Sequence, residues 1–188
     1  MKPYRNAERT KKWIRRAFTE LMAEKKDIEK ISVTELAERA DISKTTFYYH
    51  YEDIYAVAEE FENELIDALS AALKEIGKSA AAQPLNIEEY THGIFSFLKA
   101  NEESYRMVMG ASSPRLFVDK LKKIIVRKTE ESAAFLPFSN NPEERQVQIY
   151  FLSSACVDVV VEYFRGGFSA SFETVTDVIL EAINKLKG

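Results

Sequence analysis

The residues with the most chemistry to offer lie together at 44–50, which reads K-T-T-F-Y-Y-H. One lysine, two threonines, two tyrosines and a histidine supply donors for phosphate oxygens and for base edges, with no carboxylate among them to repel a polyanion. Phe47 is the one apolar side chain, suited to hold such a segment against a core. Tyr48, Tyr49, His50 and Tyr51 cannot all face one core from a single short helix, so a purely structural aromatic stripe does not account for them. Other candidates for chemistry are poor. His50 and His92 are far apart and neither has a partner at metal-ligand spacing, and Cys156 lies in an apolar run where it reads as a small buried hydrophobe. No nucleophile is paired with a base, so neither enzymatic activity nor a metal or cofactor is expected. Asp158, set among Val157, Val159, Val160 and Val161, is costly to bury unless paired or used. A contact across a dimer and a place in a ligand pocket are equally open for it.

The segment that must position Lys44–His50 is Ile31–Tyr51, which repeats one helix-start signature. Ser32 is placed as an N-cap with Glu35 three residues on, and Ile31 and Leu36 stand at N′ and N4 as a hydrophobic staple. Ser43 repeats the device with Ile42 and Phe47, except that Thr46 replaces the acid at N3. A carboxylate there would help an isolated helix yet repel a phosphate at the helix N-terminus. Asp41 falls in the intervening turn, where a left-handed residue is often needed and Asp is tolerated at some cost. Two short capped helices around a tight turn, the second without acid, are expected to form a helix-turn-helix that reads DNA.

Composition sets the frame. The chain has 188 residues, 46% hydrophobic and 30% charged with few Gly and Pro, which favours a packed helical globule over disorder. The N-terminus MKPYRNAERTKKW has no apolar segment of the secretory kind, and no uninterrupted apolar run reaches membrane-span length, so a cytoplasmic protein without a membrane anchor is expected. A single cysteine fits a reducing compartment. The net charge of −4 divides unevenly: residues 1–50 carry 12 Lys/Arg against 8 Asp/Glu, or +4, and residues 51–188 carry 14 against 22, or −8. A basic head on an acidic body is a footprint of nucleic-acid binding.

Apolar spacing predicts about nine helices and an all-α fold. The first runs from about Glu8 to Lys25 with Ile14, Ala17, Phe18, Leu21 and Met22 on one stripe. Asp53 is expected to cap a long fourth helix that ends near Gly77, followed by a connector over Lys78–Asn86. A fifth helix over Ile87–Ala100, a sixth capped by Asn101, and a seventh opened by Ser113-Pro114 and running to about Ser132 follow, the last with Leu116, Phe117, Leu121, Ile124 and Ile125 inside. Leu136–Asn140 reads as a loop. Asn141-Pro142 opens an eighth helix, apolar nearly all round from Ile149 to Phe164, which Gly166 and Gly167 end. The ninth, about Phe172–Lys187, repeats apolar residues at Phe172, Val175, Ile179, Ala182 and Leu186. Unspent apolar surface on the last two helices predicts a homodimer through them. Domains are expected at 1–53, the helix-turn-helix head, and 54–188, the body for effector binding and dimerisation.

Over Thr10–Val57 the chain resembles the tetracycline-repressor (TetR) family of bacterial transcriptional regulators. The resemblance rests on A-F-x-x-L-M at Ala17–Met22 and on I-S-V-T-E-L-A-E-R-A-D-I-S-K-T-T-F-Y-Y-H-Y. Beyond Val57 it is architectural, with N-x-x-x-Y at Asn101–Tyr105 and a Gly-Gly turn before the last helix. It implies that Thr34 and Tyr48 bind phosphates, while Lys44, Thr45, Thr46, Tyr49 and His50 face the major groove or its walls. Asp41 and Thr45 stand where the family often has Gly, and Ile54 where it often has a phosphate-binding Lys. The aromatic pairs Phe47-Tyr48 and His50-Tyr51 look like a branch that includes co-activators of small-molecule kinases.

The family likeness also implies an apolar effector pocket in the body, for which Tyr90, Phe97, Tyr105, Met109, Phe117, Tyr150 and Asp158 are the candidates. The expected protein is a ligand-responsive repressor that binds a near-palindromic double-stranded operator as a dimer. Its recognition helices would reach major grooves roughly 34–36 Å apart. A DNA-silent adaptor working through protein contacts and a helical protein that binds a small apolar ligand are the alternatives.

Overall fold

The computed structural model describes residues 3–80, 87–110, 115–132 and 138–185. Among them the chain forms nine α-helices and one 3-10 turn over Ile28–Lys30, with no strand. The helices are α1 (Pro3–Lys25), α2 (Val33–Arg39), α3 (Lys44–His50), α4 (Ile54–Ala80) and α5 (Ile87–Ala100), then α6 (Glu102–Met109), α7 (Arg115–Ser132), α8 (Pro142–Arg165) and α9 (Phe172–Lys185). They divide into two compact units, one up to Glu64 and one built from Leu65–Met109 and the helices from Arg115 on. The division falls inside α4 rather than at its start. The first turns of α4 are tied to α1: Lys11 Nζ pairs with a Glu60 carboxylate oxygen at 2.7 Å, Arg15 pairs with Glu64, and Phe18 meets Phe61 edge-on at 6.3 Å.

The first unit is a three-helix head closed by the start of α4. Ile14, Leu21, Leu36 and Phe47 are fully buried, and Ile54 and Val57 join them from α4. A core this small is marginal alone, so the α4 contribution matters to it. In the second unit Tyr105, Phe117 and Phe164 form an aromatic centre with ring centroids 6.1 and 6.2 Å from Tyr105. The Tyr105 hydroxyl donates to the Leu65 carbonyl at 3.0 Å, which anchors α6 on α4. Burial pushes the Tyr105 hydroxyl pKa up, so it remains a donor. Where α5 crosses α4, a Cβ on Gly93 would stand 3.0 Å from Ile76 Cδ1, so glycine permits the close approach.

Several expectations are corrected by the chain itself. Gly77 does not end α4: the helix continues to Ala80, since nothing in its surroundings requires a left-handed residue there. Asn101 stands directly before α6, its carbonyl accepting from the Tyr105 amide at 3.2 Å, and its side-chain amide donates back to the Phe97 carbonyl at 2.8 Å, which also closes α5. Leu116 is 73% exposed, outside the stripe assigned to it, whereas Phe117 and Leu121 are buried. Ser113-Pro114, Leu186, residues 81–86 of the expected connector and 136–137 of the expected loop lie outside the described residues. The α8 start is as expected, with the Asn141 side chain accepting from the Glu143 and Glu144 amides and Pro142 in the first turn. Gly166 ends it in the left-handed region at φ 81°.

α8 is long and apolar enough to cross a membrane by length and composition alone. Its Ile149, Val157, Val160, Val161 and Phe164 are instead buried, and the helix packs against α6, α7 and α9. The opposite face is left bare: Val147, Tyr150 and Phe151 are exposed, as is Val178 on α9.

Candidate nucleic-acid interface and effector cavity

Both caps in the head form. The Ser32 Oγ accepts from the Glu35 amide at 3.2 Å, and the Ser43 Oγ accepts from the Thr46 amide at 3.0 Å. Asp41, between them, sits at φ 55°, the left-handed conformation its place in the turn requires. Seven residues are too few to hold a helix in water, so α3 owes its order to this cap and to Phe47, whose side chain is completely buried. Burying a Phe contributes roughly 2–3 kcal/mol, more than the cap, and it fixes which face of α3 points out.

That outer face carries the residues of interest. Lys44 and Thr45 are exposed, Tyr48 is 58% exposed and Tyr49 is 83% exposed. Thr46 is half-buried, its hydroxyl 2.8 Å from Ser43 Oγ, so part of its hydrogen-bonding capacity is spent on the cap. Tyr48 stands edge-on to Phe47 at 5.5 Å and Tyr49 edge-on to His50 at 5.1 Å. Both tyrosines are exposed on one helical turn. His50 and Thr34 are half-buried.

Neighbouring charges are sorted between structure and surface. Lys25 is paired with Glu35 at 2.5 Å and Arg39 with Glu24 at 2.8 Å, while Lys44 has no ion pair among the described residues. The first turn of α3 holds no acid. Tyr51 is buried, with Lys11 Nζ 5.2 Å over its ring; desolvation first, then the neighbouring Glu60 carboxylate, pushes its pKa up. Ile54, marked in the sequence as a place without the family's lysine, is 7% exposed and belongs to the core. Tyr55 beside it is 58% exposed.

In the second unit α4, α5, α7, α8 and α9 enclose a partly open apolar cavity of about 100 Å³. Of the candidate pocket residues, Tyr90 lines it. Tyr105, Met109 and Phe117 are consumed by the aromatic core, and Phe97 stacks edge-on to Tyr105 at 6.4 Å. Tyr150 is 64% exposed, and Asp158 lies on the surface in an ion pair with Lys122 at 2.7 Å. The structure therefore brings together a different set, including Ile94, Leu98, Leu121, Val157 and Ile183 with Thr91, Thr129, Ser153 and Cys156. These aliphatic residues carry no chemical signature distinct from core. Only the small hydroxyl-bearing residues on otherwise apolar stripes gave a hint. Burial pushes the Cys156 thiol pKa up to about 11, so it stays protonated and chemically quiet.

The chain is similar to several known proteins. Residues 85–185 match a family profile described as "Transcriptional regulator C-terminal region". A curated relative, the uncharacterized HTH-type transcriptional regulator YxbF of Bacillus subtilis (strain 168), is 21% identical over 162 residues, a match covering 85% of this chain and 41% of the relative. The chain thus spans about two-fifths of that relative's length. Among solved structures, a TetR-family regulator from Syntrophomonas wolfei superposes with a TM-score of 0.72 at 16% identity, covering 96% of this chain and 95% of the other. The dihydroxyacetone kinase operon activator DhaS gives 0.65 at 16% identity over 94% of each chain. A TetR regulator from Streptococcus agalactiae 2603V gives 0.63 at 20% identity, over 95% of this chain and 96% of the other. Identities this low establish a shared fold.

Proposed function

The chain belongs to the TetR family of transcriptional regulators, and from that premise we propose that it is a cytoplasmic, ligand-responsive repressor binding a near-palindromic operator as a homodimer. The observation that carries the reading is the outer face of α3: Lys44, Thr45, Tyr48 and Tyr49 exposed together, without a carboxylate, on a helix locked by Phe47. Lys44 and the tyrosine hydroxyls suit phosphate oxygens and base edges, and the α3 N-terminus adds its own dipole. Thr34, Thr46 and His50, half-buried beside this face, complete the contact set.

In this reading the homodimer forms through α8 and α9. Val147, Tyr150, Phe151 and Val178 are exposed there, and an apolar surface of this kind on the terminal helices suits a second copy of the chain. The effector acts through the cavity of the second unit, and it shifts DNA binding only by its differential affinity for the two states. An effector that leaves operator affinity unchanged would sink this part of the reading.

A second reading is a DNA-silent activator or adaptor. Buried Ile54 leaves the start of α4 without a cation, the body is acidic, and DhaS, a structural relative, is named an operon activator. Duplexes selected from a random pool and then titrated with salt separate the two. A DNA reader loses affinity steeply, with a log–log slope set by the phosphates it neutralises. An adaptor selects no duplex at all.

A further inference from the structure

The cavity of the second unit has a lining that selects by charge. Among the described residues no Asp, Glu, Lys, Arg or His contributes to it. Its polar groups among the described residues are few: Thr91, Thr129 and Ser153, each at least nine-tenths buried, with the Tyr90 phenol and the Cys156 thiol beside them. Ser153 Oγ lies 3.4 Å from Thr129 Oγ1, a long contact that leaves both hydroxyls able to take a better partner. The neighbouring acid Asp158 is exposed and neutralised by Lys122, so it provides no counter-charge inside. A carboxylate, phosphate or ammonium group entering here would lose its hydration and find no opposite charge.

Size narrows the class further. A cavity of about 100 Å³ is somewhat smaller than the roughly 150 Å³ that encloses benzene whole, so it encloses roughly four to six heavy atoms, with the edge of a ring or the end of a longer chain leaving by the open side. We propose that this cavity takes a short uncharged hydrocarbon bearing one hydroxyl or carbonyl, the oxygen seated between Thr129 and Ser153, and that it rejects charged analogues of the same length. The proposal rests on the reading of this cavity as the effector site. An alkanol donates to one hydroxyl and accepts from the other; a ketone accepts only, and Ser153 turns its proton from Thr129 to the ligand.

The full chain carries its own reporter, because Cys156 is its single cysteine and lines the cavity. Alkylation by iodoacetamide, run at mildly alkaline pH so that a fraction of this raised thiol ionises, is followed in the presence of pentan-1-ol, pentan-2-one, pentanoate, pentylammonium or benzene. Ligand saturation-transfer NMR is run on the same mixtures, since it needs no reaction of the thiol. The two neutral oxygen compounds are expected to slow alkylation at least fivefold and to give saturation transfer, and the two ions to do neither. Thr129→Val, which exchanges a hydroxyl for a methyl at constant size, should weaken pentan-1-ol about fivefold to tenfold and leave benzene unchanged; Ser153→Ala provides the same comparison should Thr129→Val fail to fold. Equal binding of pentanoate or pentylammonium, or no binding of any neutral compound by either readout, overturns the proposal. A variant that weakens benzene and pentan-1-ol alike overturns the oxygen seat. No DNA enters these experiments. A chain that binds pentan-1-ol but selects no duplex therefore refutes the repressor and leaves the ligand class standing, and a chain that binds duplex but prefers ions does the reverse.

Discussion

Tyr49 shows most directly how a side chain is reserved for a partner. It is 83% exposed and its contact with His50 is edge-on, so removing it costs the head little packing. Tyr49→Ala and Lys44→Ala should each weaken binding to a selected operator by about tenfold to a hundredfold, in line with about 1–3 kcal/mol per contact. The melting temperature should hold to within the change expected for a surface substitution, and calorimetry beside a gel-shift titration checks both. At this scale much was legible in the sequence. Ser32, Ser43 and Asp41 were placed from cap spacing and turn position alone, because caps and left-handed turns are local and their cause lies within a few residues. The pocket residues were not legible. Tyr105 and Phe117 look like good ligand walls, yet whether an aromatic side chain lines a void or fills it depends on helices distant in sequence.

Elements carry two further tests. α4 continues through Gly77 to Ala80 with open space at the glycine. Gly77→Ala should therefore stabilise the protein by up to about 1 kcal/mol in urea unfolding, where a glycine serving as a left-handed terminus would make the same change destabilising. A glycine at a helix end and one inside a helix look alike in sequence, which is why Gly77 was misread while Gly166 was not. The α5–α6 junction holds the second test. Arg106 and then Lys99 bond the Glu102 carboxylate, with the Tyr163 hydroxyl donating at 3.0 Å, and they hold its pKa down to about 2 against an ordinary 4.5. A carboxylate lowered on folding contributes its stability above the unfolded value. That contribution fades as pH falls from about 4.5 towards 2. Glu102→Gln should cost about 1 kcal/mol near neutrality, the side chain being a quarter exposed, and the gap to the parent should close on acidification.

For the whole molecule the governing quantities are charge and surface. The +4 of residues 1–50 against −8 beyond them should orient the chain on a polyanion and make association fall with salt. The bare apolar side chains of α8 and α9 set the second expectation. Phe151→Glu, at a site 69% exposed, should leave the helical content of the chain intact and convert a dimer to a monomer in sedimentation equilibrium. Operator affinity should fall with it, because two half-sites are then no longer held together. The all-α architecture was legible from apolar spacing over long helices. The division within α4 was not, since one continuous helix gives no compositional break at Glu64 and Leu65.

The seven residues of α3 have a kinetic consequence. With one cap and one anchored ring holding it, this helix is short enough to open without global unfolding. Its amides at Tyr48–Tyr51 should exchange with solvent deuterium sooner than those of α1, and a bound duplex, by contacting only the closed form, should slow them by the factor that its own affinity sets. The surface that reads a sequence would thus be assembled in part by the sequence it reads, and warming would erase its selectivity before it melted the protein.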